Sequence, residues 1–191
     1  LNKTDMERLD IENVLKLTKI GSELELEQAT SLFNRLRLSV KNDPSLKAVR
    51  NHLADLIEAY ETEHWSDEEA ITDEQVKSSD VAERIVQFQN QFIQQRKALI
   101  KGQLKKFGLT QNDLAAILGH RKNYVSELVN GVRPLSKDDS VVINRVLGIG
   151  MSKLIEPIIN EEDADRIRGV FRKLNNPKLK LREDDLQLEL V

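Results

Sequence analysis

Apolar residues recur along this chain at steps of three and four. Leu26, Ala29, Phe33, Leu36 and Val40 make one stripe, and Leu46, Val49, Leu53, Leu56 and Tyr60 make a second. Such spacing puts each set on one face of a helix. Ser22-Glu23-Leu24-Glu25 supplies a capping box for the first helix, the Ser22 hydroxyl accepting from an orphan amide while Glu25 reaches back. Asn42-Asp43-Pro44 stops that helix and starts the next, with Asp43 as cap and Pro44 in the first helical position. A weaker helix around residues 10–18 precedes the pair. A lone helical hairpin buries little, so its stripes require a partner: the rest of the chain, a second copy or another protein.

Residues 66–80 are polar, acidic and without period, the pattern of a linker or loop. Asp80 with Glu83 forms another capping-box pattern, after which Val81, Ile85, Phe88 and Phe92 share a helical face. Residues 93–107 extend the stretch with Leu99, Ile100, Leu104 and Phe107, and with Arg96, Lys97, Lys101, Lys105 and Lys106 on the polar side. Gly102 is a mild break at most, leaving one helix or two open. Residues 161–174 predict a charged helix with Ala164, Ile167, Val170, Phe171 and Leu174 inward, ended by Asn175-Asn176-Pro177. Leu179, Leu181, Leu186, Leu188 and Leu190 then alternate with polar residues, as in a short strand or an irregular terminus.

The most informative stretch lies between these parts. From Leu109 it runs L-T-Q-N-D-L-A-A-I-L-G-H-R-K-N-Y-V-S-E-L-V-N-G-V-R-P-L-S. Thr110 caps a short helix that buries Leu114, Ala115 and Leu118, and Gly119 supplies a left-handed turn. The next helix, about 122–130, buries Val125 and Leu128 and leaves Lys122, Asn123, Ser126, Glu127 and Asn130 outward. Gly131 stops it, and Ser136 caps a further helix containing Val142, Val146 and Leu147. Helix, glycine turn and a polar-faced second helix form the arrangement in which the second helix enters a DNA major groove.

Charge gives that reading a physical basis. The 191 residues carry 29 basic and 32 acidic side chains, net −3. Residues 93–137 alone carry 9 basic and 2 acidic, whereas residues 1–92 carry 11 and 19. A block of +7 creates the local positive field that a phosphate backbone needs, or is simply a solvated face. Helix N-termini point amides at phosphates. Gln111 and Arg121 are therefore candidate backbone contacts, and Asn130 and Arg133, at the far end of the second helix, are candidates to grip the same strand. Lys122 and Asn123 stand where side chains reach base edges, Lys suiting guanine O6/N7 and Asn adenine N6/N7. Glu127 either accepts from cytosine N4 or pairs with Arg121 or Lys122. Tyr124 either stacks on a sugar or is an ordinary half-buried tyrosine.

These elements, in register over about 25 residues, resemble the Cro/C1 (XRE) helix-turn-helix family. The resemblance implies a five-helix, lambda-repressor-like DNA-binding domain over about residues 93–159. The run V-S-E-L-V-N-G-V-R-P-L-S after G-H-R is similar to the HigA-type antitoxins, and so are Glu25–Ala29, Asn42-Asp43-Pro44 and Leu56–Glu61. That resemblance implies an antitoxin that binds a HigB-type toxin, a ribosome-dependent mRNA endonuclease, and represses its own operon as a homodimer. The alternative is a stand-alone XRE-family repressor with no toxin partner. A third reading is an interaction module whose helix-turn-helix fold has lost DNA binding.

Other chemistry finds little support. With no Cys, disulfide frameworks, zinc-thiolate sites and cysteine nucleophiles are excluded. His52, His64 and His120 lack metal-ligand spacing, and no phosphate-binding glycine loop occurs. Trp65 is a packing residue or an interface anchor. The expectation is an all-α, cytoplasmic, non-enzymatic protein needing no cofactor and no membrane. Its parts are an N-terminal helical region (1–65) for dimerisation or toxin binding, an acidic linker (66–80), a helix-turn-helix domain with its leading helix (81–159), and a C-terminal helix and tail (160–191).

Overall fold

A computed structural model describes residues 11–41, 43–157 and 161–174, together with 159, 176 and 178. The described residues are all-α, with eight helices and no strand. They are α1 (Ile11–Val14), α2 (Glu23–Ser39), α3 (Lys47–His64), α4 (Asp73–Lys106), α5 (Gln111–Leu118), α6 (Lys122–Val129), α7 (Lys137–Leu147) and α8 (Glu161–Leu174). The chain divides into two units, residues 8–155 and a smaller unit that includes residues 156–191. In the smaller unit α8 has Ala164 buried, Ile167 and Phe171 half-buried, and Val170 and Leu174 exposed, so only part of its expected inward face is covered. The alternating leucines beyond Lys178 lie outside the described residues. No described helix is long and apolar enough to cross a membrane.

In the larger unit the hairpin forms as its pattern requires. The Glu25 amide donates to Ser22 Oγ (3.2 Å), and the Glu25 carboxylate accepts from the Gly21 amide (2.7 Å). Asp43 accepts from the Ser45 amide, and Pro44 opens a 3-10 turn that runs into α3. Leu46, Val49, Leu53, Leu56 and Tyr60 are all buried. On α2 the buried set is Leu26, Ala29, Leu32 and Leu36, with Phe33 and Val40 at its edge. Trp65 packs against the same core, and His52 is half-buried with a ring nitrogen 2.9 Å from the Leu17 carbonyl oxygen. The partner that the hairpin stripe needs is the chain itself: α2 packs along α4, where Ser31 Oγ and Arg35 Nη1 each donate to Asn90 Oδ1 at 2.7 Å.

Two expectations about α4 need correction. Residues 73–80 are not linker but its first two turns, because the Thr72 hydroxyl accepts from the Gln75 amide and starts the helix ahead of Asp80. Its buried face is Ala82, Val86, Gln89, Ile93, Arg96, Ile100 and Leu104, leaving Val81 exposed. Arg96 is thus inside, 3% exposed, where it donates to the Leu154 carbonyl (3.3 Å) and lies 5.9 Å from the Phe92 ring centroid. Gly102 does not break the helix, which is continuous over 34 residues. At 1.5 Å per residue it is about 50 Å long. Its first part supports the hairpin and its second part belongs to a separate apolar core with α5, α6 and α7: Ile100, Leu104, Leu114, Ala115, Val125, Ile143 and Leu147.

Candidate nucleic-acid interface

Three short elements build the site. Thr110 Oγ1 accepts from the Asp113 amide (3.2 Å) while Asp113 Oδ2 accepts from the Thr110 amide (2.7 Å), a reciprocal cap at the start of α5. The Thr110 hydroxyl also donates to Asp113 Oδ2 (2.7 Å), and that bond first, then the one from the Thr110 amide, holds the Asp113 carboxyl below its usual range. Gly119 ends α5 at φ +70°, and the chain turns directly into α6. His120 in that turn bonds Asp139 (2.8 Å), which also accepts from Ser136 Oγ (2.8 Å), so the turn is tied to the first turn of α7. Gly131 closes the far end of α6 at φ +70°, against Ile93 of α4.

Helix α6 differs from α5 and α7 at its N-terminus. Arg121 occupies the cap position and makes no side-chain hydrogen bond to the first-turn amides. These donors therefore face an exposed surface that also carries the Arg121 and Lys122 side chains. Gln111 sits half-buried at the start of α5. It lines an open groove of about 440 Å³ with Lys101, Lys105 and Leu109, bringing two further cations beside it. Helix periodicity puts these lysines on a polar face but does not show which side of α4 the start of α5 crosses, so their position beside Gln111 is visible only in the fold.

The other site residues are engaged within the chain. Asn123 Nδ2 donates to Asp43 Oδ2 at 2.9 Å. Bonds from Ser45, and then from Asn123, hold the Asp43 carboxyl below its ordinary value despite slight burial. Asn130 Nδ2 donates to Ser126 Oγ (3.2 Å). Glu127 does not face outward: it is 7% exposed and its carboxylate accepts from Arg133 Nε, not from Arg121 or Lys122. Arg133 also binds Glu12 Oε1 through Nη1 (2.5 Å) and lies 4.8 Å from the Tyr124 ring centroid. Burial opposes the charge on Arg133, but the two carboxylates outweigh it and hold its pKa above the ordinary value. Tyr124 is half-buried between Arg133 and His120, the second of its two expected environments.

This geometry agrees with what comparison finds. Residues 100–154 match the sequence profile of a helix-turn-helix family. This segment is similar to that profile, the one of Cro/C1-type (XRE) helix-turn-helix segments, a family of DNA-binding regulators. It spans the second part of α4 through α7 to Leu154, less than a third of the chain. No curated protein and no solved structure matches the chain.

Proposed function

We propose that this chain is a sequence-specific DNA-binding repressor of its own operon and, as the likeness to HigA-type proteins implies, the antitoxin for a co-encoded HigB-type toxin. The observation that carries the DNA reading is the uncapped N-terminus of α6, with Arg121 and Lys122 exposed beside it in a helix-turn-helix segment. In this account Arg121, Gln111, Asn130 and Arg133 hold phosphates while Lys122 and Asn123 read bases. Glu127, turned to Arg133, orients that arginine and is not a reader. A homodimer would present two copies of α6 to half-sites about 34 Å apart.

Toxin binding falls to α1–α3. A specific observation favours the second reading, a stand-alone repressor: Leu32, Leu36 and Leu53 are fully buried inside the chain, so these stripes are not waiting for another protein. Co-expression of the tagged chain with its flanking genes separates the two. Recovery of a basic protein of the HigB type, toxic when expressed alone, supports the antitoxin. A chain that elutes alone while still binding DNA upstream of its gene leaves the repressor.

A further inference from the structure

The outward stripe of α6, with Asn123 exposed and Ser126 and Asn130 half-buried, runs along a groove that it shares with the hairpin. Asn123, Ser126 and Asn130 line one wall of a groove of about 210 Å³, and Leu38, Ser39 and Asp43, at the end of the hairpin, line the opposite wall. Three contacts close this arrangement along the length of α6: Asp43 on Asn123 at its start, Glu12 on Arg133 beyond its end, and Val132, which is fully buried and belongs to the apolar core of α1–α3. A recognition helix works by lying in a major groove about 12 Å wide, with a sugar-phosphate strand on either side. A duplex cannot surround α6 while the hairpin occupies one of those sides. The two carboxylates also sit on an amide and a guanidinium that would otherwise meet DNA, so charge and shape act in the same sense.

Resting on the DNA-binding reading above, we propose that α1–α3 are an intramolecular cover of the recognition helix, and that DNA competes with the Asp43–Asn123 and Glu12–Arg133 contacts for it. The uncovered Gln111, Arg121 and Lys122 make the first, sequence-independent encounter. Base reading by Asn123 follows only when the hairpin end leaves α6. Apparent affinity is then the intrinsic affinity scaled by the open fraction.

The chain has no cysteine, so Ser126→Cys installs a single thiol in the wall of the groove. The opening variant is Asp43→Ser with Glu12→Ala, in which serine keeps a cap for the turn after Asp43 but is too short to hold Asn123. The control, Asp55→Ala with Glu58→Ala, removes the same charge from exposed positions of α3. A bulky maleimide should label Ser126→Cys at least about tenfold faster in the opening background than in the control. The opening variant should also bind a duplex from upstream of its own gene about tenfold more tightly than the control. Equal labelling rates, or a thiol in the unaltered background as reactive as that of exposed Asn112→Cys, overturn the cover. Faster labelling with equal duplex affinity overturns its regulatory role while DNA binding stands. Faster labelling with no duplex bound by any variant at low salt overturns the DNA-binding reading and the regulatory role together. Far-UV circular dichroism melts confirm that each variant compared is folded.

Discussion

Gly131 fixes where the recognition helix ends, and replacing it measures two separable costs. Its φ is +70°, so alanine there carries the left-handed penalty of about 1–2 kcal/mol. The new Cβ would also lie 2.5 Å from Ile93 Cγ2 and 3.2 Å from its Cδ1. Ile93 is 1% exposed on α4, so overpacking against it adds about 1–3 kcal/mol. Gly119 has the same φ of +70° but open space around its Cβ position, so Gly119→Ala carries the first cost alone. Urea unfolding followed by far-UV circular dichroism should give losses of about 2–5 kcal/mol for Gly131→Ala and about 1–2 kcal/mol for Gly119→Ala. In a chain of this size these correspond to melting temperatures lower by roughly 4–20 °C and 2–8 °C. Adding Ile93→Ala should make the pair less destabilised than the sum of the single changes by about 1 kcal/mol or more. Two glycines that cost the same within about 0.5 kcal/mol, with no such coupling, would refute the close approach of the α6–α7 turn to α4.

Other perturbations test the surrounding packing. Burial first, and then Glu83 and Glu23, push the Glu27 carboxyl above its ordinary value. The fold therefore favours its neutral form, gains stability as pH falls and loses it as pH rises through that raised value. Glu27→Gln should stabilise at neutral pH by a few tenths of a kcal/mol, about 0.2–0.5, the gain fading below about pH 4 in urea titrations. Tyr60, pushed up to about 12 by burial and by its hydrogen bond to Glu23, should supply an absorbance transition near there that Tyr60→Phe removes. Its contribution is complete below about pH 10 and lost as pH rises through 12. At neutral pH Tyr60→Phe should cost about 1–3 kcal/mol, because buried Glu23 loses a donor. Glu127→Ala should cost a similar 1–3 kcal/mol by thermal melt, since it strips a carboxylate from the partly buried Arg133.

Local rules were legible in the sequence wherever the responsible residues were close together. The α3 stripe, the Ser22 and Asp43 caps, the Gly119 turn and the buried Val125 and Leu128 all follow from spacings of a few residues. Periodicity misleads where polar groups take apolar positions. Gln89 and Arg96 lie in the buried stripe of α4, so hydrophobic periodicity there points to Val81 and Ile85, one residue away from the buried Ala82 and Val86. The Thr72 cap is hidden in the sequence because the acidic run around it resembles a loop. Least visible were the engagements of the recognition face. Asp43 and Asn123 are 80 residues apart, and Glu12 and Arg133 are 121 apart, and neither pair has a signature in a single sequence. Glu127 shows the consequence: outward by helix periodicity, it is inside because Arg133, after the turn, folds back onto it.

The central claim is that α6 and its flanking cations bind DNA. Its most direct test is fluorescence anisotropy with a duplex from upstream of the gene, titrated at several salt concentrations with the unaltered chain, Arg121→Ala and Lys122→Ala. The account predicts binding that weakens with salt, a log–log slope shallower by about 0.9 for Arg121→Ala, and a loss of about 1–3 kcal/mol in discrimination against a scrambled duplex for Lys122→Ala. Affinity and slope unchanged by both substitutions, or no binding at low salt, would contradict it.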